Sequence, residues 1–182
     1  MANLITLARI GLIVPFVLLF ITDASWNLKA AFVIFVVASL SDFLDGWVAR
    51  ARGEVSALGA ALDPLADKLL IAAALILLLR NGVINGAGVI AVIVVILREI
   101  MVSGLREAVA MKGGSLPVTT LAKWKTTAQL VAAGLLLATA PTGFIGAEWK
   151  PLGTVALWLA TLLTFWTGAD YAIRAQRFLR AQ

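Results

Sequence analysis

The chain has 182 residues, of which 62% are hydrophobic and only 14% are charged. Soluble domains are nearer to about 45–50% apolar, so this composition excludes an ordinary water-soluble core and indicates a polytopic membrane protein. The sequence contains no Cys and no His, which excludes disulfides, thiol nucleophiles, imidazole bases and the usual Cys/His zinc sites. The formal net charge is +5, but the charges interrupt apolar runs, so anionic lipid headgroups or phosphorylated substrates fit better than nucleic acid.

Six apolar runs are long enough to cross a hydrocarbon core of about 30 Å. In chain order they cover residues 5–21, 28–48, 58–79, 87–105, 121–140 and 152–173. An even number of spans places both termini on one side, and most Lys and Arg residues near the ends of the runs lie on that side. The positive-inside rule then predicts cytoplasmic termini. We therefore predict an all-α polytopic membrane protein, in which residues 1–182 form a single domain, a bundle of six transmembrane helices.

Two of the predicted helices carry acidic residues toward their cytoplasmic ends. Asp42 and Asp45 lie in the second run, and Asp63 and Asp67 lie in the third. An ionised carboxylate at membrane depth costs several kcal/mol, roughly 2.5–3.5 kcal/mol on insertion scales at the centre of a helix. At about 100° per residue, each pair occupies one stripe of its helix, and an antiparallel arrangement would let the two stripes face each other. The four acids therefore predict a carboxylate cage at the cytoplasmic face.

A cage built only from carboxylate oxygens suits Mg²⁺ or Mn²⁺. Two such ions would neutralise four negative charges and still leave coordination sites for phosphate oxygens. The alternative is that the aspartates cap helices or pair with Arg50, Arg52 and Lys68. Acids near the C-terminal end of the second helix also oppose its dipole, so we favour the metal site.

The acidic residues belong to a longer pattern, D-x2-D-G-x2-A-R-x8-G-x3-D-x3-D. Its fixed positions are Asp42, Asp45, Gly46, Ala49, Arg50, Gly59, Asp63 and Asp67. The pattern resembles the signature of the CDP-alcohol phosphatidyltransferase family, and all eight fixed positions match it. The resemblance implies transfer of a phosphatidyl group from CDP-diacylglycerol to an alcohol, with release of CMP, at a site with two Mg²⁺ or Mn²⁺ ions.

The same resemblance implies roles for individual residues. The residues matching the first three aspartates serve mainly as metal ligands, and the residue matching Asp67 lies near the metals and is the proposed general base. The pocket for CDP-diacylglycerol is implied at Asp45, Gly46, Ala49, Arg50 and Gly59. A base makes chemical sense, because an alcohol is a poor nucleophile until a carboxylate accepts its proton.

The acceptor alcohol is indicated by cations in the fourth and fifth runs: Arg98, Arg106, Lys123 and Lys125. Taken singly, three of them fit the ordinary basic belt of a membrane protein, whereas Arg98 lies deeper, beside Glu99. Together they could hold an acceptor that itself carries a phosphate.

Segments 3–9, 98–107 and 123–129 resemble bacterial members of the family whose acceptor is sn-glycerol 3-phosphate. That resemblance implies sn-glycerol 3-phosphate here, with its phosphate among the four cations. Asn3, Thr6 and Glu99 are further candidates for the site, although Asn3 and Thr6 could equally cap a helix.

Several alternatives remain open. Inositol phosphate is the first rival acceptor, followed by phosphatidylglycerol or serine. A divalent-cation transporter would also carry intramembrane acids, with Glu99 as a stepping stone, and a non-catalytic scaffold is a third reading. The resemblance further implies a homodimer among membrane lipids in the bacterial cytoplasmic (inner) membrane, with the active site at the cytoplasmic face.

Overall fold

The computed structural model describes residues 2–21, 26–52 and 57–180, and gives only the backbone for residues 2–6, 42–52, 57–61 and 63–64. The described residues form six α-helices and one short 3₁₀ turn, and no β-strand occurs among them. The helices are α1 (Ala2–Leu19), α2 (Asn27–Arg52), α3 (Ala57–Arg80), α4 (Gly88–Met111), α5 (Thr120–Ala138) and α6 (Lys150–Arg180). Each helix covers most or all of one of the six apolar runs, so the all-α prediction is confirmed.

Two stretches within the described ranges, Gly88–Met111 and Ala147–Arg180, are long and apolar enough to cross a membrane by length and composition. Leu7–Leu19 and Asn27–Ser41 are shorter apolar segments. Large apolar side chains are exposed on the two long stretches, among them Ile93, Leu97, Ile100, Leu162, Phe165 and Trp166. Such an apolar surface is expected where the surroundings are lipid. The number of spans and the side of the termini stay predictions.

Three helices continue well past the ends of the apolar runs that predicted them. The runs end at residues 48, 105 and 173, whereas α2 ends at Arg52, α4 at Met111 and α6 at Arg180. In the last part of α6, the Nε–H of Arg174 donates to Asp170 Oδ1, one turn earlier, over 2.9 Å. Hydropathy marks where apolar residues stop, but good helix formers and pairs spaced by four residues let a helix continue past that point.

Internal packing divides the chain into two compact units. The first comprises residues 1–84 and 133–153, and the second comprises residues 85–132 and 154–182. The single domain over residues 1–182 stays a prediction.

In the first unit, α1 packs against both α2 and α3. The fully buried Phe16 is at the centre, with its ring 5.3 Å from that of Phe20 and 6.2 Å from that of Phe35. Arg80, the last residue of α3, donates from Nη1 to the carbonyl of Phe20 over 2.6 Å. This bond satisfies a carbonyl that the end of α1 leaves without a helical partner. The helices that carry the aspartate pattern are thus held together by α1.

In the second unit, α4 ends in a turn that requires glycine. Gly113 has φ +75°, the N–H of Gly114 donates to Val109, and that of Gly113 donates to Ala110. This is a Schellman motif, which satisfies the last carbonyls of the helix. Gly114 also leaves room for the ring of Phe178, because a Cβ there would lie 2.3 Å from that ring.

The core of the second unit consists of Val102, Val109, Leu116, Ala122, Tyr171 and Ala175. Tyr171 is 2% exposed, so its hydroxyl needs partners inside the protein. The hydroxyl donates to the carbonyl of Pro117 over 3.0 Å and accepts from the N–H of Thr119 over 3.3 Å. Tyr171 therefore anchors the connection between α4 and α5 to α6.

Candidate functional site

The four aspartates of the pattern lie on two helices that contact each other. Asp42 and Asp45 are in α2, and Asp63 and Asp67 are in α3. Of the four side chains, the structure describes that of Asp67, and those of the other three lie outside the described residues. The same holds for the side chains of Gly46, Ala49, Arg50 and Gly59, and for those of Asn3 and Thr6 in α1. The carboxylate cage and the pocket for CDP-diacylglycerol therefore stay predictions.

Asp67 is tied to α1 by a buried cation. Its Oδ1 accepts from Nη1 of Arg9 over 3.2 Å, and the Arg9 side chain is fully buried while that of Asp67 is 28% exposed. A buried charge requires a partner, so the pair explains how α1 tolerates an arginine inside an otherwise apolar sequence. The sequence patterns described above assign no role to Arg9. The signal that could have identified it is a single basic residue within an apolar helix.

A second polar cluster centres on Glu99 of α4, in the second unit. Its Oε1 accepts from Nη1 of Arg98 over 3.2 Å, from Nε2 of Gln129 over 3.3 Å, and from the ammonium of Lys125. Arg98, Lys125 and Gln129 are all at least nine-tenths buried. Two of the four cations predicted to bind the acceptor's phosphate, Arg98 and Lys125, therefore meet at Glu99, which the sequence also suggested for the site.

Helix α6 completes this cluster. Nη2 of Arg98 donates to Oγ1 of Thr167 over 2.8 Å, and Nε2 of Gln129 donates to Oγ1 of Thr164 over 2.8 Å. The guanidinium carbon of Arg98 lies 5.8 Å from the centre of the Tyr171 ring, a cation–π distance. Gln129, Thr164 and Thr167 were not identified from the sequence, because an amide or hydroxyl in an apolar helix gives no indication of a distant partner.

The other two predicted cations, Arg106 and Lys123, are exposed on α4 and α5. Within the described part of the chain, neither of them forms a hydrogen bond or an ion pair with Glu99. Within the ranges whose side chains are described, no three acidic residues gather as a metal site would require, and three of the four predicted ligands lie outside those ranges.

Gly168 permits the close approach of α6 to Arg98, and its replacement tests that packing. A Cβ on Gly168 would lie 2.8 Å from Cγ of Arg98, which belongs to the buried stem of that side chain. We expect Gly168→Ala to destabilise the protein by about 1–3 kcal/mol, as overpacking of a filled site does. Gly104→Ala is the matched control, because a Cβ there meets nothing within 4 Å. Thermal unfolding in detergent measures both, and equal midpoints for the two variants would contradict the expectation.

Comparison with known proteins shows what this chain is similar to. The model of the CDP-alcohol phosphatidyltransferase family matches residues 1–166. A relative from Rickettsia typhi is 39% identical over 93% of this chain and 93% of its own length. Relatives from Pseudomonas fluorescens and Bacillus subtilis are 40% and 37% identical, each over 93% of this chain, and cover 86% and 91% of their own lengths. All three are named CDP-diacylglycerol–glycerol-3-phosphate 3-phosphatidyltransferase.

Proposed function

Because the chain belongs to the CDP-alcohol phosphatidyltransferase family, we propose that it transfers the phosphatidyl group of CDP-diacylglycerol to sn-glycerol 3-phosphate. The products are phosphatidylglycerophosphate and CMP, so the reaction is a step of phospholipid biosynthesis. The observation that carries the proposal is similarity over nearly the whole chain to relatives named for this reaction. The family resemblance based on the aspartate pattern is thereby confirmed.

The charge of the Glu99 cluster supports an acceptor that carries a phosphate. Arg98 and Lys125 contribute two positive charges and Glu99 contributes one negative charge, so these three side chains have a net charge of +1. Arginine and lysine side chains bind phosphate by charge-assisted hydrogen bonds. The phosphate of sn-glycerol 3-phosphate matches such cations, whereas serine or free inositol carries no phosphate. We assign Arg106 and Lys123 to the same phosphate by resemblance.

The two cations beside Glu99 also bear on the transporter alternative. A cation path through the fourth helix would use Glu99 as its acid, but Glu99 accepts from two cations and one amide. A divalent cation at that point would meet repulsion from Arg98 and Lys125. The cluster therefore favours the enzyme over the transporter.

The acceptor must lose a proton as it attacks. Asp67 is proposed to take the proton of the acceptor hydroxyl while the new bond forms between that oxygen and the phosphorus that carries diacylglycerol. The bond from this phosphorus to the CMP oxygen breaks, and CMP leaves. Arg9 holds Oδ1 of Asp67 in place for this role. Gly46, Ala49, Arg50 and Gly59, with Asp45, bind the cytidine diphosphate group.

The donor set of the pattern fits a divalent metal. Its candidate ligands are carboxylate oxygens, those of Asp42, Asp45, Asp63 and Asp67. The chain has no Cys thiolate or His imidazole that could bind a softer metal. This set suits two Mg²⁺ or Mn²⁺ ions. When bound, such ions stabilise the negative charge that develops on the phosphoryl oxygens and on departing CMP.

The proposed setting is the bacterial cytoplasmic membrane, with six spans, cytoplasmic termini, and the active site at the cytoplasmic face. The two long apolar stretches and their exposed apolar side chains support a membrane location. We propose a homodimer among membrane lipids, as the resemblance implies. Because the chain has no native Cys, single cysteines introduced at the two termini and in the loops would report the side of each by labelling.

An acceptor panel tests the proposed reaction. Purified protein in lipid nanodiscs would receive CDP-diacylglycerol with sn-glycerol 3-phosphate, inositol phosphate, serine or phosphatidylglycerol, each with Mg²⁺ or with a chelator. Of the four acceptors, we expect only sn-glycerol 3-phosphate to support CMP release. The chelator should abolish this activity, and added Mg²⁺ should restore it. Preferential use of inositol phosphate would refute the acceptor. Metal uptake into proteoliposomes without CMP formation would refute the enzyme in favour of a transporter.

A further inference from the structure

Thr164 of α6 fixes the orientation of the Gln129 amide. Its Oγ1 donates to the carbonyl of Ala160 over 2.6 Å, one turn earlier, so its single hydroxyl proton is already used. The oxygen can then only accept, and the Gln129 atom 2.8 Å away is Nε2, a donor. Thr164 is fully buried and Gln129 is 3% exposed, so water does not compete for these groups. The amide nitrogen of Gln129, not its oxygen, must therefore face α6.

The oriented amide in turn holds Glu99. Nε2 of Gln129 carries two protons, one for Thr164 and one for Oε1 of Glu99, which lies 3.3 Å away. Thr164 on α6 thus restrains the Glu99 carboxylate on α4 indirectly, through the Gln129 side chain on α5. Three helices share the two hydrogen bonds.

Lys125 is the cation that this chain of bonds restrains. It lies one turn before Gln129 on α5, and its ammonium bonds to the same Oε1 of Glu99 that Gln129 holds. A lysine ends in a point charge on a flexible four-carbon stem, so holding the ammonium at one place costs side-chain conformational entropy. If Glu99 already holds the ammonium in the folded protein, this entropy is lost on folding and does not weaken substrate binding.

We propose that Gln129 and Thr164 are positioning residues, which act through Glu99 to hold the Lys125 ammonium where the acceptor's phosphate binds. The inference rests on the proposed function, in which Lys125 binds that phosphate. A positioned ammonium favours binding of the acceptor and leaves binding of CDP-diacylglycerol unaffected. Loss of either residue should therefore raise KM for sn-glycerol 3-phosphate and leave kcat nearly unchanged.

Thr164→Val tests this directly, since valine keeps the shape and removes the hydroxyl. Thr161→Val is a matched control, because Thr161 is also buried on α6 and donates to a carbonyl four residues earlier, that of Leu157. We expect Thr164→Val and Gln129→Leu to raise KM for sn-glycerol 3-phosphate about five- to tenfold, the factor that one ordinary hydrogen bond provides. Thr161→Val should change it less than about twofold, and Thr164→Ser should restore the value of the unaltered protein.

A second readout does not depend on turnover. Acetic anhydride would modify lysines in the folded protein, and peptide mass spectrometry would give the rate at Lys125. We expect slow modification in the unaltered protein and in Thr161→Val, and modification several-fold faster in Thr164→Val because the ammonium is held less firmly. If the unaltered protein releases no CMP with sn-glycerol 3-phosphate, the proposed reaction fails, and the labelling rates still decide whether Lys125 is positioned.

Three outcomes would overturn the inference. The first is an unchanged KM for sn-glycerol 3-phosphate and an unchanged labelling rate in Thr164→Val. The second is an equal change in Thr161→Val, and the third is an equal rise in KM for both substrates, because either of these results indicates general loosening of the helices. Should Gln129→Leu fail to fold, the comparison of Thr164→Val with Thr164→Ser and Thr161→Val is sufficient.

Discussion

Replacing Asp67 by asparagine is expected to lower the rate of CMP release by about 10²- to 10⁴-fold, the usual contribution of a general base. Asparagine has nearly the same shape and still offers an oxygen to Arg9, but it cannot take the proton of the acceptor hydroxyl. It also lacks the negative charge that a metal ligand at this position supplies. The measurement is CMP release at saturating CDP-diacylglycerol and sn-glycerol 3-phosphate, with Mg²⁺ present.

The control for this variant is Asp170→Asn. Asp170 is an exposed acid on α6 that pairs with Arg174, and exposed pairs contribute little to stability. Its rate should equal that of the unaltered protein. Because Asp67→Asn also leaves the buried Arg9 with a neutral partner, the unfolding midpoint is measured in parallel and rates are compared well below it. Undiminished turnover by a folded Asp67→Asn protein would exclude Asp67 as the base.

Lys125→Met is expected to raise KM for sn-glycerol 3-phosphate about 10- to 100-fold, because a hydrogen bond to a charged group contributes about 1.5–3 kcal/mol. Methionine keeps much of the apolar stem and removes the charge. KM for CDP-diacylglycerol should stay within a factor of about two, since the lost contact concerns the acceptor alone. Initial rates with each substrate varied in turn give both constants.

Two further variants make the Lys125 result specific. Lys112→Met removes an exposed cation just after α4 and should leave both KM values unchanged. Lys125→Arg keeps the charge but places a larger planar group in a buried position, so we expect at most partial recovery. If Lys125→Met raises KM for both substrates equally, Lys125 does not act on the acceptor's phosphate.

The positions of the six helices could be predicted because helix formation in an apolar chain is a local matter. A helix satisfies its own backbone hydrogen bonds, so an apolar run of sufficient length indicates a helix without reference to distant residues. The predicted ends of α2, α4 and α6 were less accurate, since each apolar run stops where polar residues begin, while the helices continue to Arg52, Met111 and Arg180.

The candidate site divides in a similar way. Asp67, Arg98 and Lys125 could be identified from the sequence, because a charge within an apolar run is costly and therefore conspicuous. Which residues pair with which could not be predicted. Arg9 pairs with Asp67 across 58 residues, and Gln129 meets Thr164 across 35.

By itself, then, the sequence determined the helical class, the places of the helices and the family, since each depends on local hydropathy or on residues close together in the chain. Only the tertiary structure decided that Glu99 joins Arg98, Lys125 and Gln129, and that α6 supplies the hydroxyls which orient them. A buried hydroxyl such as that of Thr164 already has a local acceptor one turn earlier. Its second partner depends on which helices pack together, and three-dimensional packing alone specifies that.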